Sequence, residues 1–279
     1  MKIDSKYLLR HQANPLNQTG SKFRYRSTLA EYLPNIENLK VLDPFVGGGD
    51  MISFLPESWT INASDISGRL IDIHLAMQTG LITVDKVLEL YTQHGLSRDN
   101  KEEYYKFREH YNQNNDPVKL YTLITNSFNN QMRFSYKSGF NIPFGKREFN
   151  TDMQSKLENY QYNIQSRNIQ FICCSFDLHN FNDYDILLLD PPYLNTVATY
   201  NDIWTPDLDI KLLNKIDESG KDFVYFNQIV SKGVRNEPLI EWAKKYNVIE
   251  LAHTTRHCNY QRTDLETIEV MITNLEPTG

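Results

Sequence analysis

Cysteine is scarce in this 279-residue sequence, which contains three cysteines and seven histidines. Cys173 and Cys174 are adjacent and Cys258 is remote, so the cysteines form neither a disulfide framework nor a zinc pattern. The histidines show no HxH ligand spacing, and we expect no metal site. Reduced, cytoplasmic chemistry is the expectation for a chain with so few cysteines.

Other absences narrow the class of protein further. The sequence has no signal peptide and no run of about 18 apolar residues, which predicts a soluble protein without a membrane-spanning helix. It also has no Gly-x-Gly-x-x-Gly fingerprint and no Walker-type Gly-Lys-Ser/Thr, so a bound pyrophosphate is not indicated. The length suffices for one large domain plus a smaller one.

A glycine-rich turn is the first positive signal. Val41-Leu42-Asp43 reads as a short strand that runs into Pro44-Phe45-Val46-Gly47-Gly48-Gly49. Consecutive glycines allow positive φ and let a ligand approach the backbone, and a turn after the first strand of an α/β sheet is where nucleotide-like cofactors bind. Asp65 ends the next strand, where an acidic side chain is the expected partner of a ribose diol. An ordinary loop is the alternative.

A second signal is Asp190-Pro191-Pro192-Tyr193, which follows the apolar run at 186–189. The Asp190 carboxylate can accept one N–H of a nucleobase amino group, and the Pro191 carbonyl can accept the other if the prolines hold the backbone rigidly. Two acceptors off the base plane would draw the amine towards tetrahedral geometry and direct its lone pair at an electrophile. Tyr193 offers a flat surface on which the base can stack. A plain Pro-Pro turn is the alternative.

Together, the glycine turn, the acidic strand end and the Asp-Pro-Pro-Tyr sequence indicate a nucleoside cofactor beside an amine-activating site. S-adenosylmethionine, a sulfonium methyl donor, fits both requirements. The sequence has no Pro-Cys dipeptide, so methylation of a ring carbon through a thiolate has no nucleophile of the usual kind.

A basic segment contrasts with the overall net charge of −6. Residues 131–147 contain no Asp or Glu, and their basic side chains are Arg133, Lys137, Lys146 and Arg147. Alternating aromatic residues on either side of Ser138-Gly139 predict a β-hairpin with a polar tip. A basic two-stranded ribbon fits the major groove of double-stranded DNA, whereas an exposed hairpin whose charges only aid solubility is the alternative.

The order of predicted elements indicates an α/β fold with a Rossmann-like, S-adenosylmethionine-dependent methyltransferase sheet. Strands are predicted at 40–45, 59–65, 169–174, 184–190, 223–227, 248–251 and 267–273, with helices between them that include one at 49–55. We assign residues 1–79 and 151–279 to this catalytic domain. Residues 80–150 hold three helical segments and the hairpin, and we predict that they form an inserted, mainly helical target-recognition domain.

The chain resembles the Dam-type family of DNA adenine-N6 methyltransferases, particularly the phage-encoded members, over most of residues 17–274. The resemblance rests on Gly20-Ser21-Lys22 as the Gly-x-Lys signature, on the Phe-x-Gly-Gly loop that starts at Phe45, and on the stretch that starts at Asp190. The family usually has an aromatic residue four positions before the lysine, where this chain has Gln18. The resemblance implies methyl transfer to N6 of a flipped-out adenine in duplex DNA, without a covalent enzyme intermediate.

The resemblance also implies roles for individual residues. The catalytic residues would be Asp190, Pro191, Pro192 and Tyr193. Cofactor contacts are expected at Gln18, Gly20, Lys22, Phe45, Gly47, Gly48, Gly49, Asp65, Ile66, Phe176 and Asp190. DNA contacts are expected at Arg133, Lys137, Asn141, Pro143, Lys146 and Arg147. Arg133 corresponds to an arginine that binds a guanine, which makes GATC or a related short site the leading target.

Rival functions remain open at this point. A related class of enzymes methylates amines of RNA or of protein glutamine with a similar tetrapeptide, although the glutamine-directed enzymes favour Asn where this chain has Asp190. A methyltransferase remnant that binds DNA without catalysis is a further alternative. The sequence does not decide whether the protein works with a restriction endonuclease, serves a phage or marks a host chromosome.

Overall fold

The computed structural model describes residues 13–16, 20–135, 137–194, 204–254 and 265–278. The α-helices are α1 (Arg26–Tyr32), α2 (Gly68–Gln78), α3 (Val84–Gln93), α4 (Lys101–Asn114), α5 (Pro117–Asn126), α6 (Thr151–Gln165), α7 (Pro206–Ser219) and α8 (Glu237–Ala243). The strands are β1 (Lys40–Asp43), β2 (Thr60–Asp65), β3 (Phe134–Ser135), β4 (Gly139–Phe140), β5 (Asn168–Cys173), β6 (Ile186–Leu189), β7 (Asp222–Ser231), β8 (Val234–Arg235), β9 (Asn247–Thr254) and β10 (Thr267–Thr273).

The central sheet has the strand order β5-β2-β1-β6-β7-β10-β9, with the short β8 paired to β7. Strands β5, β2, β1, β6 and β7 are parallel, whereas β10 runs antiparallel to both of its neighbours, β7 and β9. Crossover segments connect the parallel strands, with α-helices in some of them and only 3-10 turns between β1 and β2 and between β5 and β6. This confirms the predicted α/β fold with a Rossmann-like sheet.

Both faces of the sheet are covered, which explains the apolar run in β6. Successive side chains of a strand point to opposite faces. Ile186 and Leu188 therefore pack into one core cluster, whereas Leu187 and Leu189 pack into the other. All four side chains are buried, as is typical of a central parallel strand between two helical layers.

The position of β1 in the sheet determines where a ligand can bind. The chain passes from β1 to β2 on one side, while β6 lies on the other side of β1. The strand order therefore reverses at β1, and the crevice beyond the carboxyl ends of β1 and β6 is a topological switch point. Open α/β sheets bind their ligands in such crevices.

Helices α3, α4 and α5 and the β3–β4 hairpin form the segment that we predicted as an insertion. Each helix begins with a side-chain cap: Thr83 for α3, Asn100 for α4 and Asp116 for α5. The apolar face of α5 packs on α2, and Ile73 and Leu123 belong to one core cluster. The separation of this segment into a domain of its own stays a prediction.

One predicted helix is wrong. Residues 49–55 form only a 3-10 turn at Ile52–Phe54, followed by an extended Leu55. The glycine turn precedes this segment with positive φ angles, and Pro56 follows it and disfavours the helical conformation at Leu55. Too few residues remain between these two breaks to nucleate an α-helix. Within the described ranges, no helix is both long and apolar enough to cross a lipid bilayer.

Candidate active site

The two predicted motifs lie at the same edge of the sheet. Leu42 of β1 is paired with Leu187 of β6, so Asp43 ends β1 next to the strand that leads into Asp190. Asp190 is the first residue after β6, and the electrostatic influence of its carboxylate reaches Asp43. The glycine turn and the Asp-Pro-Pro-Tyr sequence therefore flank the switch-point crevice together.

Asp65 connects the glycine turn to the end of β2. Its Oδ2 accepts the backbone N–H of Gly47 at 3.2 Å, and its Oδ1 accepts the backbone N–H of Ser67 at 2.8 Å. Burial raises the pKa of Asp65, and the backbone N–H donors partly offset this effect. The predicted ribose-binding carboxylate is thus oriented by the turn itself, and the adjacent Ile66 is exposed at the end of the strand.

The three glycines of the turn have different reasons to be glycine. A Cβ on Gly48 would lie 2.8 Å from Nδ2 of Asn14, and a Cβ on Gly49 would lie 2.1 Å from the hydroxyl of Tyr160. Only Gly47 combines a positive φ of 49° with open space, since its Cβ would contact nothing closer than 3.7 Å. Gly47 is therefore the position at which a ligand could approach the backbone, whereas Gly48 and Gly49 accommodate protein neighbours.

A buried histidine supports the turn from beneath. Because a carbonyl oxygen only accepts, Nε2 of His74 donates to the carbonyl of Gly47 at 2.8 Å, and Nδ1 accepts the Tyr160 hydroxyl at 2.9 Å. The His74 ring stacks on Phe171, with 4.9 Å between the ring centroids. Burial lowers the pKa of His74 to about 4, so the ring is neutral. His74 was not predicted from the sequence, although a histidine on the apolar side of a predicted helix is a recognisable signal.

Asp43 places a carboxylate at the end of β1, beside the crevice. Its side chain is fully buried, and Oδ1 accepts the backbone N–H of Phe45 at 3.2 Å. Oδ2 is also buried, and none of the described residues hydrogen-bonds to it. Burial raises the pKa of Asp43 well above its usual range, and the nearby Asp190 and Asp65 raise it further. A cationic ligand in the crevice would stabilise the ionised carboxylate.

Asp190 is held by two donors. Oδ1 accepts the hydroxyl of Tyr193 at 2.9 Å, and Oδ2 lies 3.1 Å from Nζ of Lys22. The Lys22 ammonium also donates to the carbonyl of Gly20 and lies 5.1 Å from the centroid of the Tyr193 ring. Burial raises the pKa of Asp190, while Lys22 and Tyr193 counteract the shift. Lys22, which we expected to contact the cofactor, is paired with the predicted catalytic carboxylate.

Glu269 of β10 joins this group and was missed by the sequence analysis. Its side chain is buried, with Oε1 3.6 Å from Lys22 Nζ and 3.5 Å from the Tyr193 hydroxyl. Oε2 accepts the hydroxyl of Tyr25 and Nη2 of Arg24, both at 2.7 Å. A glutamate inside an otherwise apolar predicted strand was the available signal.

An aromatic cluster lies beside the glycine turn. Phe45 and Phe176, both predicted to contact the cofactor, have ring centroids 5.6 Å apart, and each also contacts Trp204. Nε1 of Trp204 donates to the buried Asp209 at 3.2 Å. Burial raises the pKa of Asp209. Trp204 was not among the predicted site residues, because Phe45 and Phe176 are distant from it in sequence.

The remaining residues of this predicted site are the rest of the Asp-Pro-Pro-Tyr sequence and Gln18. Pro191 is buried, whereas Pro192 and Tyr193 are half-buried. Gln18 lies outside the described residues, and so do residues 195–203, which follow the tetrapeptide. Of the described side chains, no group of three His, Cys, Asp or Glu residues could hold a metal ion.

The predicted DNA-binding residues lie on and after the β3–β4 hairpin. Arg133 is exposed, and its Nε donates to Oδ1 of Asn141 at 2.8 Å, so Asn141 orients the guanidinium. Lys137 is exposed at the tip. The hairpin itself is held by Asn112 of α4, which makes hydrogen bonds of 2.8–3.2 Å to the backbone of Ser138 and Phe140. The sequence analysis missed this support.

The segment after the hairpin is fixed on the chain that precedes it. The carbonyl of Pro143 accepts the backbone N–H of Phe128 at 2.9 Å, and a Cβ on Gly145 would lie 2.1 Å from the carbonyl oxygen of Ser127. Nη1 of Arg147 donates to Oδ1 of Asn130 at 3.0 Å. Pro143, Lys146 and Arg147 are exposed, so the predicted contacts share one accessible segment.

Comparison with known proteins identifies relatives of this chain. Type II methyltransferase M.FokI of Planomicrobium okeanokoites is 32% identical over 280 residues, which cover 94% of this chain and 42% of that protein. Modification methylase StsI of Streptococcus sanguinis is 32% identical over 282 residues, which cover 94% and 43%. The DNA adenine methylase of Escherichia coli strain K12 is 27% identical over 193 residues, which cover 67% and 66%.

The chain spans about two fifths of the length of the two modification enzymes. The model of the family described as D12 class N6 adenine-specific DNA methyltransferase matches residues 19–256. This match includes the glycine turn, the hairpin and the Asp-Pro-Pro-Tyr sequence. The chain belongs to the D12 class N6 adenine-specific DNA methyltransferase family.

Proposed function

We propose that this chain transfers a methyl group from S-adenosylmethionine to N6 of an adenine in double-stranded DNA. The observation that carries the proposal is the common position of Asp190 and the glycine turn at the switch point between β1 and β6. A methyl donor and an acceptor amine that bind to these two loops would meet in one crevice.

The chain's own residues account for activation of the amine. Asp190 accepts one N–H of the adenine amino group, and the Pro191 carbonyl accepts the other. The nitrogen lone pair would then point at the methyl carbon. The new N–C bond would form as the carbon–sulfur bond breaks, with the electron pair of that bond left on sulfur as a thioether, and the nitrogen would release its proton to water. Tyr193 provides the stacking surface for the base. Orientation and the two preorganised acceptors supply most of the rate enhancement.

The cofactor side of the crevice suits a positively charged nucleoside. When bound, S-adenosylmethionine supplies a methyl group on a sulfonium sulfur. Asp65 would accept hydrogen bonds from the ribose hydroxyls of the cofactor, and Gly47 leaves room for the cofactor to approach the backbone closely. Phe176 and Ile66 would contact the adenine ring of the cofactor. The buried Oδ2 of Asp43 without a described partner fits a cationic ligand, because a positive charge favours the ionised carboxylate.

The hairpin is the proposed contact to DNA. Arg133, Lys137, Lys146 and Arg147 give residues 131–147 a positive charge within an acidic chain. Phosphate contacts would provide affinity and orientation, and Arg133 would read a guanine through O6 and N7. The target adenine has to leave the base stack, because the methyl donor lies in a protein crevice. We propose GATC or a related short site as the target.

Analysis of the methylated product tests the proposed function. Purified protein is incubated with radiolabelled S-adenosylmethionine and, separately, with duplex DNA, RNA and protein substrates, and the labelled product is hydrolysed and identified by mass spectrometry. We expect N6-methyladenine from duplex DNA. Label in RNA or in protein glutamine would support the rival enzymes, and absence of label with bound DNA would support a non-catalytic remnant.

Sequencing of modified bases tests the target and its biological context. Two relatives that align with 94% of this chain are named as a type II methyltransferase and a modification methylase, which favours a modification role alongside a restriction endonuclease. DNA from cells that express the protein should carry N6-methyladenine at one short motif. A GATC motif would match the proposal, whereas an unrelated motif would contradict the guanine contact assigned to Arg133.

A further inference from the structure

Glu269 is an anion buried in the sheet, outside every motif that the sequence analysis used. It lies on β10, where it is paired with Gln228 of β7 and Ala252 of β9, and 7% of its surface is exposed. A buried carboxylate in the middle of an apolar strand is costly unless charged or polar groups satisfy it. Its partners therefore indicate why this position is a glutamate.

The two carboxylate oxygens of Glu269 have different neighbours. Oε2 accepts the Tyr25 hydroxyl and the Arg24 guanidinium, each at 2.7 Å, and these contacts fix the carboxylate from the side of the chain that precedes α1. Oε1 faces Lys22 and Tyr193, at 3.6 and 3.5 Å. One oxygen is anchored, and the other is directed at the group around Asp190.

The two donors that hold Asp190 are thus the same two that face Glu269. Lys22 lies 3.1 Å from Oδ2 of Asp190, and the Tyr193 hydroxyl lies 2.9 Å from Oδ1. Asp190 and Glu269 therefore share one ammonium and one hydroxyl between them. Glu269 is connected to the catalytic carboxylate through these shared donors, and its charge also raises the pKa of Asp190.

We propose that Glu269 is a positioning residue for methyl transfer, which shares Lys22 and Tyr193 with Asp190 and thereby keeps the Asp190 carboxylate oriented and available to the target amine. This inference rests on the proposed function. Without the second anion, Lys22 would pair with Asp190 alone. A charge-assisted hydrogen bond in a buried site is strong, and it would compete with the weaker bond from a neutral amino group.

The test uses Glu269→Gln, which keeps the shape of the side chain and removes its charge. The matched control is Glu250→Gln on the adjacent strand β9, where the side chain is exposed. Single-turnover methyl transfer to duplex DNA should fall about tenfold in the Glu269 variant, as for coupled residues of one network. The dissociation constant for S-adenosylmethionine and the melting temperature should stay close to those of the wild type, and the control should match it throughout.

The pH profile of the single-turnover rate separates positioning from a purely structural role. Asp190 is faced by titratable or charged groups from its own loop and from every neighbouring element, namely Lys22, Tyr193, Asp43, Tyr225 and Glu269. The charge of Glu269 raises the pKa of Asp190, so its removal lowers that pKa. The acid limb of the profile should therefore move to lower pH in Glu269→Gln.

A second variant, Glu269→Asp, keeps the negative charge but moves it away from Lys22. Its single-turnover rate should fall, while the acid limb of its pH profile should move less than in Glu269→Gln. A wild-type rate in either variant, with wild-type methylation intact, would overturn the positioning role. If the variant loses cofactor binding or thermal stability together with its methyl-transfer rate, Glu269 has a structural role, and this result would also overturn the positioning role. An inactive wild type would instead count against the proposed function.

Discussion

Burial determines the charge of individual residues around the crevice. Asp43, Asp65 and Asp190 all have raised pKa values because burial disfavours the charged carboxylate, whereas His74 has a lowered pKa for the same reason. The crevice thus holds acidic groups that a cation would stabilise, above a histidine that stays neutral. Each of these shifts has a measurable consequence.

The His74 shift predicts a pH-dependent loss of stability. The ring is neutral in the folded protein down to a pKa of about 4, but in the unfolded chain it gains a proton below about pH 6.5. The unfolded state therefore binds more protons in this window, and stability falls as the pH falls. Between pH 7 and pH 5 the loss should be about 2 kcal/mol.

Urea unfolding at pH 7 and pH 5 measures this loss against His74→Gln, whose amide can still donate to the carbonyl of Gly47. The raised pKa values of the acidic groups act in the opposite direction, but they are present in both proteins and cancel in the comparison. Between pH 7 and pH 5, we expect the stability of His74→Gln to fall less than that of the wild type, by the amount assigned to His74. An equal pH dependence in both proteins would show that His74 does not contribute it.

Gly49 should be intolerant of any side chain. Gly49→Ala would place a Cβ 2.1 Å from the Tyr160 hydroxyl at a φ of 83°, and we expect a loss of about 3 kcal/mol in the free energy of unfolding. Gly80→Ala is the matched control, because Gly80 also has positive φ but nothing within 4 Å of the added Cβ. The control should lose about 1 kcal/mol. If chemical denaturation shows equal losses of unfolding free energy in Gly49→Ala and Gly80→Ala, the contact with Tyr160 is not the cause of the loss.

Arg133 should discriminate between bases as well as bind DNA. Arg133→Ala should cost about 1–3 kcal/mol of discrimination at the guanine, because a bidentate contact to O6 and N7 is lost. Lys137→Ala at the hairpin tip serves for comparison, and it should weaken binding to all sequences alike. Binding to matched and single-mismatch duplexes measures the difference. A uniform loss in Arg133→Ala would make this residue a phosphate contact.

At the scale of elements, the hairpin depends on a helix for its conformation. Asn112 of α4 bonds to the backbone of Ser138 and Phe140, and a Cβ on Gly139 would lie 2.5 Å from Oδ1 of Asn112. Strands β3 and β4 have two residues each, and a hairpin this short is marginally stable by itself. The helix therefore supplies much of the order that the predicted DNA contacts need.

Asn112→Ala should loosen the hairpin without affecting the crevice. Loss of these hydrogen bonds should cost about 1–2 kcal/mol, and the Phe140 amide should exchange its hydrogen faster. Asn114→Ala is the control on the same helix, because the exposed side chain of Asn114 bonds within α4, to the carbonyl of His110. Hydrogen exchange followed by mass spectrometry measures the effect. Unchanged protection in Asn112→Ala would contradict the supporting role.

Elements that follow from local patterns were predictable from the sequence. The apolar strands, the capped helices of the insertion and the Asp-Pro-Pro-Tyr sequence all depend on neighbouring residues. The predicted helix at 49–55 failed because the glycine turn and Pro56 leave too short a segment. Glu269 could not be assigned, because its partners Lys22, Tyr25 and Tyr193 meet it only through the sheet order, with β10 between β7 and β9.

At the scale of the whole molecule, the sheet brings distant parts of the chain to one crevice. Residues that precede α1, the ends of β1 and β2, the loop after β6 and a side chain of β10 all contribute to the site. The proposed cofactor side and the proposed amine side meet where the strand order reverses. Binding of the cofactor and transfer of its methyl group should therefore be separable by substitution on the amine side.

Asp190→Ala provides the most direct measurement of this separation. The dissociation constant for S-adenosylmethionine and the rate of methyl transfer to duplex DNA are measured for the wild type, for this variant and for Asp152→Ala, which removes an exposed aspartate of α6. Asp190→Ala should retain measurable cofactor binding and lose methyl transfer, while Asp152→Ala should match the wild type. Near-normal transfer in Asp190→Ala would contradict the role of this carboxylate in amine activation.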